Sequence, residues 1–149
     1  MIQFNPLNSA DIDTIVLMMQ DFYAIDNYPI DIEVSKKLFH DFIKNEHLGR
    51  CWLISYNNEI VGYVILTYVF SFEYQGKIAF LDELYLNKQS QGKGIGKRTI
   101  DFIHAEALKN DIKIIYLEVE PHNEIAKKLY LSKDFLIHKR QLMKLTPKP

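Results

Sequence analysis

Apolar residues recur along the chain at two periods, and each change of period marks an element. Ile12, Ile15, Val16, Met19 and Tyr23 fall on the helical stripe i, i+3, i+4, i+7, i+11. Ser9 is the expected N-cap, and Asp11 suits the first turn. Tyr28-Pro29 ends this helix, because the residue before proline disfavours helical backbone. A second helix carries Leu38, Phe39, Phe42 and Ile43 on one face, and Gly49 ends that region. Ile2–Phe4 is a short first strand. The β-rich runs Cys51–Tyr56, Ile60–Phe70 and Ile78–Leu86 are separated by Asn57-Asn58 and Gln75-Gly76, which predicts an antiparallel meander. Helical spacing then returns at Ile100, Ile103 and Ala107, in a helix beginning near Gly94. A strand over Ile112–Val119, a short helix over Asn123–Ser132 and one or two closing strands over Phe135–Leu145 complete the reading. The fold class is α/β (α+β). One domain spans residues 1–149, with a mixed, mostly antiparallel central sheet of about six or seven strands and helices on both faces.

Composition narrows the function classes. The 149 residues carry 18 Lys+Arg against 19 Asp+Glu, a formal charge of −1. Nucleic-acid binding calls for a clustered cationic face, so no nucleic-acid partner is expected. No run reaches the ~18 apolar residues of a membrane span, so no membrane association is expected. Met1–Pro6 lacks a basic, then apolar, leader pattern, and there is a single cysteine, Cys51. Both favour a reducing, cytoplasmic setting. Cys51 lies in the apolar run Cys51-Trp52-Leu53-Ile54 and reads as a buried structural thiol. The five histidines show no ligand spacing, so no metal is expected. Aromatics are abundant at 13% of residues, enough for a pocket as well as a core.

The most informative segment is Gln91-Gly92-Lys93-Gly94-Ile95-Gly96-Lys97, between a strand and a helix. Alternating glycines let backbone approach a ligand without Cβ interference. The N–H groups opening a helix then form an anion site, aided here by Lys93, Lys97 and Arg98. The dinucleotide pattern G-x-G-x-x-G fails, because its third glycine would fall at Lys97. The nucleotide loop G-x-x-x-x-G-K-[ST] fails at Gln91 and again at Arg98. What matches is Q/R-x-x-G-x-G/A, on Gln91, Gly94 and Gly96.

That loop follows the strand Leu81-Asp82-Glu83-Leu84-Tyr85-Leu86. It precedes in turn Ile115–Val119, Pro121-His122-Asn123, Ala126–Tyr130 and Asp134-Phe135. In this order the segments resemble the GCN5-related N-acetyltransferase (GNAT) superfamily. One departure is Asp134, where the family usually has glycine; Asp is among the few other residues that visit the left-handed region.

The resemblance implies transfer of an acetyl group from acetyl-CoA to an amine by direct attack. The backbone N–H groups of Gly92, Lys93, Gly94, Ile95, Gly96 and Lys97 would hold the pyrophosphate, and Gln91 would also be cofactor-binding. The backbones of Leu84, Tyr85 and Leu86 would meet the pantetheine and thioester, and Asn123 would also contact the cofactor. Tyr130 is implied as the general acid that protonates the leaving thiolate. Glu118 and Glu83 are both candidate general bases, and His122 is a weaker one. A homodimer is expected by analogy within the family. The segment Phe22–Pro29 combines aromatics with a carboxylate, so Tyr23, Asp26 and Tyr28 form a candidate wall for a cationic acceptor. Phe70, Phe72 and Tyr74 form a second one. A small-molecule amine is favoured over a protein or peptide amine. The rival readings are a non-catalytic CoA-binding sensor or interaction module on the same fold, and transfer of a longer acyl group.

Overall fold

A computed structural model describes every residue from Met1 to Pro149. The elements in chain order are β1 (Ile2–Pro6), α1 (Ile12–Ile25), α2 (Ile32–Lys44), β2 (Gly49–Tyr56), β3 (Glu59–Ser71), β4 (Gly76–Leu86), α3 (Ile95–Lys109), β5 (Ile115–Tyr116) and α4 (Glu124–Ser132). The chain divides into two compact units, Met1–Glu118 and Val119–Pro149. No helix is long and apolar enough to cross a membrane.

In the first unit one sheet runs in the order β1-β2-β3-β4-β5. The first four strands are antiparallel neighbours, and β5 joins β4 in parallel. The β2–β3 turn places Asn57 and Asn58 at φ 50° and 68°, the left-handed pair that a two-residue hairpin demands. The first helix is preceded by a single 3-10 turn, Ser9–Asp11. That turn is capped by Asn8, not Ser9: Asn8 Oδ1 accepts from the Ala10 N–H at 3.0 Å, and the Asn8 N–H donates to Asp11 Oδ2 at 3.1 Å. This is a capping box built one residue earlier than expected.

Helices cover both faces of the sheet. Leu53, Tyr63, Ile65 and Tyr85 pack with Ile12, Ile15, Val16 and Met19 of α1 and Phe39 of α2. On the other face Phe102 of α3 stacks on Phe4 and meets the Trp52 ring edge-on. Leu38 departs from its expected place and lies on the outer side of α2, 62% exposed. Each side chain of this size that is buried fully contributes about 1.5–3 kcal/mol.

One irregularity decides the chemistry of the sheet. In the β3–β4 ladder Leu66 opposes Leu81 but Ile65 opposes Glu83, so Asp82 is an extra residue on β4. Residues two apart on a strand normally share a face. The bulge at Asp82 breaks that rule and turns Glu83 onto the α1 face, beside Ile65 and away from Leu81.

The sheet has five strands, not six or seven. The expected strand Ile112–Val119 is reduced to Ile115–Tyr116, paired with Ala79 and Phe80. Its ladder stops just before the Asp82 bulge, as bulges often end pairing. No helix or strand forms from Phe135 onward, so the expected closing strands over Phe135–Leu145 are absent. The physical reason is visible in the order of residues. The apolar positions of this stretch are split by four consecutive polar residues, His138-Lys139-Arg140-Gln141, so neither face of a strand would be continuously apolar.

In the second unit Asn123 caps α4, accepting from the Ala126 N–H at 3.0 Å. The other end is closed by a Schellman motif. The Phe135 N–H donates to the Tyr130 carbonyl at 3.1 Å and the Asp134 N–H to that of Leu131 at 3.4 Å. The Phe135 and Tyr130 rings meet at 5.6 Å, the apolar contact that accompanies such caps. Asp134 holds φ 70°, as its place after the helix requires. Asp134→Gly removes that strain and is expected to stabilise the protein by about 0.5–1 kcal/mol. A rise in the urea midpoint at unchanged slope checks this, and a fall contradicts it.

Candidate active site

The bulged strand delivers Glu83 into a cluster of phenols. The Tyr23 hydroxyl, from α1, donates to Glu83 Oε2 at 2.6 Å. The Tyr63 hydroxyl, from β3, donates to Glu83 Oε1 at 2.7 Å. Each carboxylate oxygen therefore holds one short, charge-assisted bond. Tyr85 packs in the same cluster, its ring 5.7 Å from that of Tyr63 and 5.5 Å from that of Phe22. Burial raises the Glu83 pKa above the ordinary carboxylate value. The Tyr23 and Tyr63 hydrogen bonds pull it back down, while the charge of Asp82 adds to the rise. Tyr23 and Tyr63 are themselves pushed up, by burial and by Glu83, so both remain protonated donors. Burial also pushes the Cys51 thiol up, which keeps it a thiol rather than a nucleophile.

Past the end of β4, Gln91 latches the glycine segment, its Nε2 donating to the Leu86 carbonyl at 3.2 Å. Gly92 and Gly94 both hold φ 78°, a conformation that L side chains rarely adopt. Gly94 is the N-cap of α3 and, lacking a side chain, caps nothing. Its carbonyl takes the Arg98 N–H at 3.2 Å. The N–H groups of Ile95, Gly96 and Lys97 precede the first intrahelical bond and have no side-chain cap. No acidic residue stands in this first turn, in contrast to α1, α2 and α4. A Cβ placed on Gly92 or Gly94 would meet no atom within 4 Å. The glycines therefore answer no internal packing need and leave open space above the helix end, which suits an anionic group such as a pyrophosphate. Lys93 lies over the Tyr56 ring, 5.4 Å from its centre. No group of three His, Cys, Asp or Glu side chains could hold a metal ion.

The remaining candidates from the sequence are placed unevenly. Glu118 is exposed and follows β5 in irregular chain, not in a strand. Asp26 is half-buried and Tyr28 is exposed, beyond the end of α1. The Tyr28 N–H bonds to the Tyr23 carbonyl at 2.9 Å, so this turn hangs from the residue that holds Glu83. Phe70, Phe72 and Tyr74 sit at the β3–β4 turn, at the opposite end of β4 from the glycine segment. At ~3.3 Å per strand residue, this turn is remote from Glu83. Asn123 and Tyr130 belong to the second unit. Burial pushes the Tyr130 phenol up to about 12, so it is a protonated donor at neutral pH. A shallow depression of about 120 Å³ near Phe42, Glu46, Arg50 and Trp52 contains none of these residues.

Sequence reading missed Tyr63. It lies within the aromatic and β-branched run of β3 and is core, with no exposed surface. Its partnership with Glu83 follows from the bulge, which no residue type at Asp82 announces.

Comparison with known proteins fits this geometry. No curated protein sequence matches the chain. An integron cassette protein from the mobile metagenome of the Cole Harbour Salt Marsh superposes with a TM-score of 0.88 at 24% identity, over 99% of this chain and 91% of that one. A Clostridium acetobutylicum protein described as a predicted acetyltransferase, solved with acetyl-CoA, gives 0.82 at 17% identity over 97% and 96%. An aminoglycoside acetyltransferase from an uncultured soil metagenome, solved with sisomicin, gives 0.77 at 16% identity over 99% and 97%. These likenesses are to the fold. The family model for the acetyltransferase (GNAT) family matches residues 16–135, which takes in α1 with Tyr23, the bulged strand with Glu83, the glycine segment and α4. With most of its length matched by that model, the chain belongs to the acetyltransferase (GNAT) family.

Proposed function

We propose that residues 1–149 act as one N-acetyltransferase domain, moving the acetyl group of acetyl-CoA onto an amine, with a small-molecule amine favoured over a protein or peptide amine. The observation that carries this reading is Glu83, a half-buried carboxylate held by two phenols on a strand that leads into the glycine-capped helix. Acetyl-CoA supplies the activated acetyl thioester; in the net reaction an N–C bond replaces the C–S bond and the amine loses one proton.

The chain's residues divide that work. Gly92 and Gly94 leave room for the pyrophosphate, and the N–H groups of Ile95, Gly96 and Lys97 hold it, with Lys93 and Lys97 adding charge. Amines arrive protonated, since an alkyl ammonium has a pKa of about 10. Glu83 attracts that cation and accepts its proton. Its pKa, raised by burial, makes it a stronger base than a solvated carboxylate. Glu118 is solvated and has no comparable setting, so Glu83 is preferred as base. Tyr130 keeps its proton to about pH 12 and is the donor for the departing thiolate. Asp26, Tyr28 and the edge of Tyr23 supply the charged and aromatic wall for the acceptor. The aminoglycoside acetyltransferase among the fold neighbours supports a small polyfunctional amine as the acceptor class.

Release of free CoA over a panel of small amines and amine-bearing peptides tests the reading; no release with any amine, despite acetyl-CoA binding, would leave the non-catalytic module in its place. Gly94→Val forces a β-branched residue to φ 78° and fills the space above the helix. It is expected to weaken acetyl-CoA binding at least about tenfold by calorimetry, and unchanged affinity contradicts the loop assignment. Glu83→Gln and Tyr130→Phe are each expected to lower turnover by about 10²–10⁴-fold with acetyl-CoA affinity retained. Full turnover in either variant removes that residue from the reaction.

A further inference from the structure

Glu83 has a more particular setting than a base requires. We propose that Tyr63 and Tyr23 are positioning residues for acetyl transfer, fixing the Glu83 carboxylate from opposite sides so that it stays an ionised proton acceptor of defined orientation inside an aromatic cluster. The inference rests on the reading of Glu83 as the base.

Three observations carry it. First, the two bonds reach different oxygens from different elements, α1 and β3. Together they fix both the position and the plane of the carboxylate, whereas a single donor would leave it free to rotate. Second, Tyr63 is fully buried at 0% exposure, so it meets neither acceptor nor solvent and acts only through what it touches. A hydrophobic core has no need of that hydroxyl: phenylalanine would fill the place, and the buried oxygen is tolerated because Glu83 satisfies it. Third, Tyr23 serves both sides of the site. Its hydroxyl holds Glu83, and its carbonyl accepts the Tyr28 N–H that closes the turn containing Asp26. The acceptor wall and the base are therefore set at a distance fixed by one residue.

The groups around the carboxylate define the expected pH behaviour. Tyr23 faces it from α1, Cys51 acts from β2, Tyr63 from β3, and Asp82 lies beside it on β4. None of these is cationic, so hydrogen bonding is what favours the ionised form here. Removing one phenolic hydroxyl must then favour the protonated form. A base that is protonated at higher pH moves the acidic limb of kcat/KM upward, while the rate at high pH recovers. A purely structural role predicts an equal loss at every pH.

The test uses the full chain. A ¹³C-carboxyl NMR titration without acetyl-CoA follows Glu83, its signal assigned by its loss in Glu83→Gln. Tyr63→Phe is expected to raise the Glu83 midpoint by about one pH unit and to move the acidic limb of kcat/KM by the same amount. An unmoved midpoint, or a rate loss independent of pH, overturns the proposal. Tyr23→Phe is expected to shift the midpoint in the same direction, and it carries the test alone if Tyr63→Phe does not fold. Glu83→Gln separates the two levels. Full turnover in that variant overturns the assignment of the base and this inference with it. An inactive Glu83→Gln beside an unmoved Tyr63→Phe midpoint overturns the inference alone.

Discussion

A carboxylate withdrawn from water keeps its charge only if donors replace the water it has lost, and the α1 face of this protein is arranged around that need. Glu83 reaches the face through a single inserted residue, Asp82, and meets hydroxyls from α1 and β3 within 2.6 Å and 2.7 Å. The aromatic residues around it follow from the same demand. Tyr23 and Tyr63 bring rings that pack like core and oxygens that donate, while Phe22 and Tyr85 close the space with apolar surface. An aliphatic core here would bury the charge without a partner, and a more polar one would let water in and return Glu83 to ordinary basicity.

The glycine segment meets the opposite problem. There the backbone supplies the donors, and side chains must stay out of the way. Capped helices elsewhere in the protein use Asn or Asp to satisfy their first N–H groups, as at Asp31 of α2 and Asn123 of α4. Gly94 forgoes that bond at the start of α3, and both glycines hold a backbone conformation costly for other residues. A helix end left uncapped, with no acidic residue in its first turn, suits a negative group. The near-zero net charge is compatible with this, because local geometry rather than overall charge would make such a site.

What the sequence revealed depended on whether a residue type reports its own conformation. Gly92, Gly94, Asn57 and Asn58 do, since positive φ is largely restricted to such residues, and each turn or loop lies where expected. Asp134 in place of glycine was readable for the same reason. Helical stripes were legible from spacing, although Leu38 shows that a neighbour of the stripe can face outward. The hidden features are those set by pairing. Alternation along β4 puts Glu83 on the face of Tyr85, but the bulge at Asp82 depends on how β4 lies against β3, so the bond from Tyr63 could not be read along one strand. The closing strands failed where four consecutive polar residues, His138–Gln141, interrupt both faces that a strand over Phe135–Leu145 would present. Tyr23 was named as a candidate from the aromatic segment alone, while its hydroxyl bond to Glu83 depends on α1 crossing the bulged strand.

Holding Glu83 in this way has a consequence for stability that runs against function. Its folded pKa is raised above the unfolded value. A carboxyl of that kind favours the fold in its protonated form. The advantage is complete below the unfolded pKa and is lost as pH rises through the folded pKa. At neutral pH, where a proton acceptor must be ionised, Glu83 therefore makes the fold less stable than a solvated glutamate would. The two phenols reduce that cost by lowering the folded pKa toward its ordinary value, and in doing so they also reduce the basicity gained from burial. The number of donors sets the compromise. With none, burial would favour the protonated form more strongly; with more donors, the pKa would fall further and the basicity with it. One bond to each oxygen leaves lone pairs on both, which in the proposed reaction would let Glu83 stay ionised and still accept a proton.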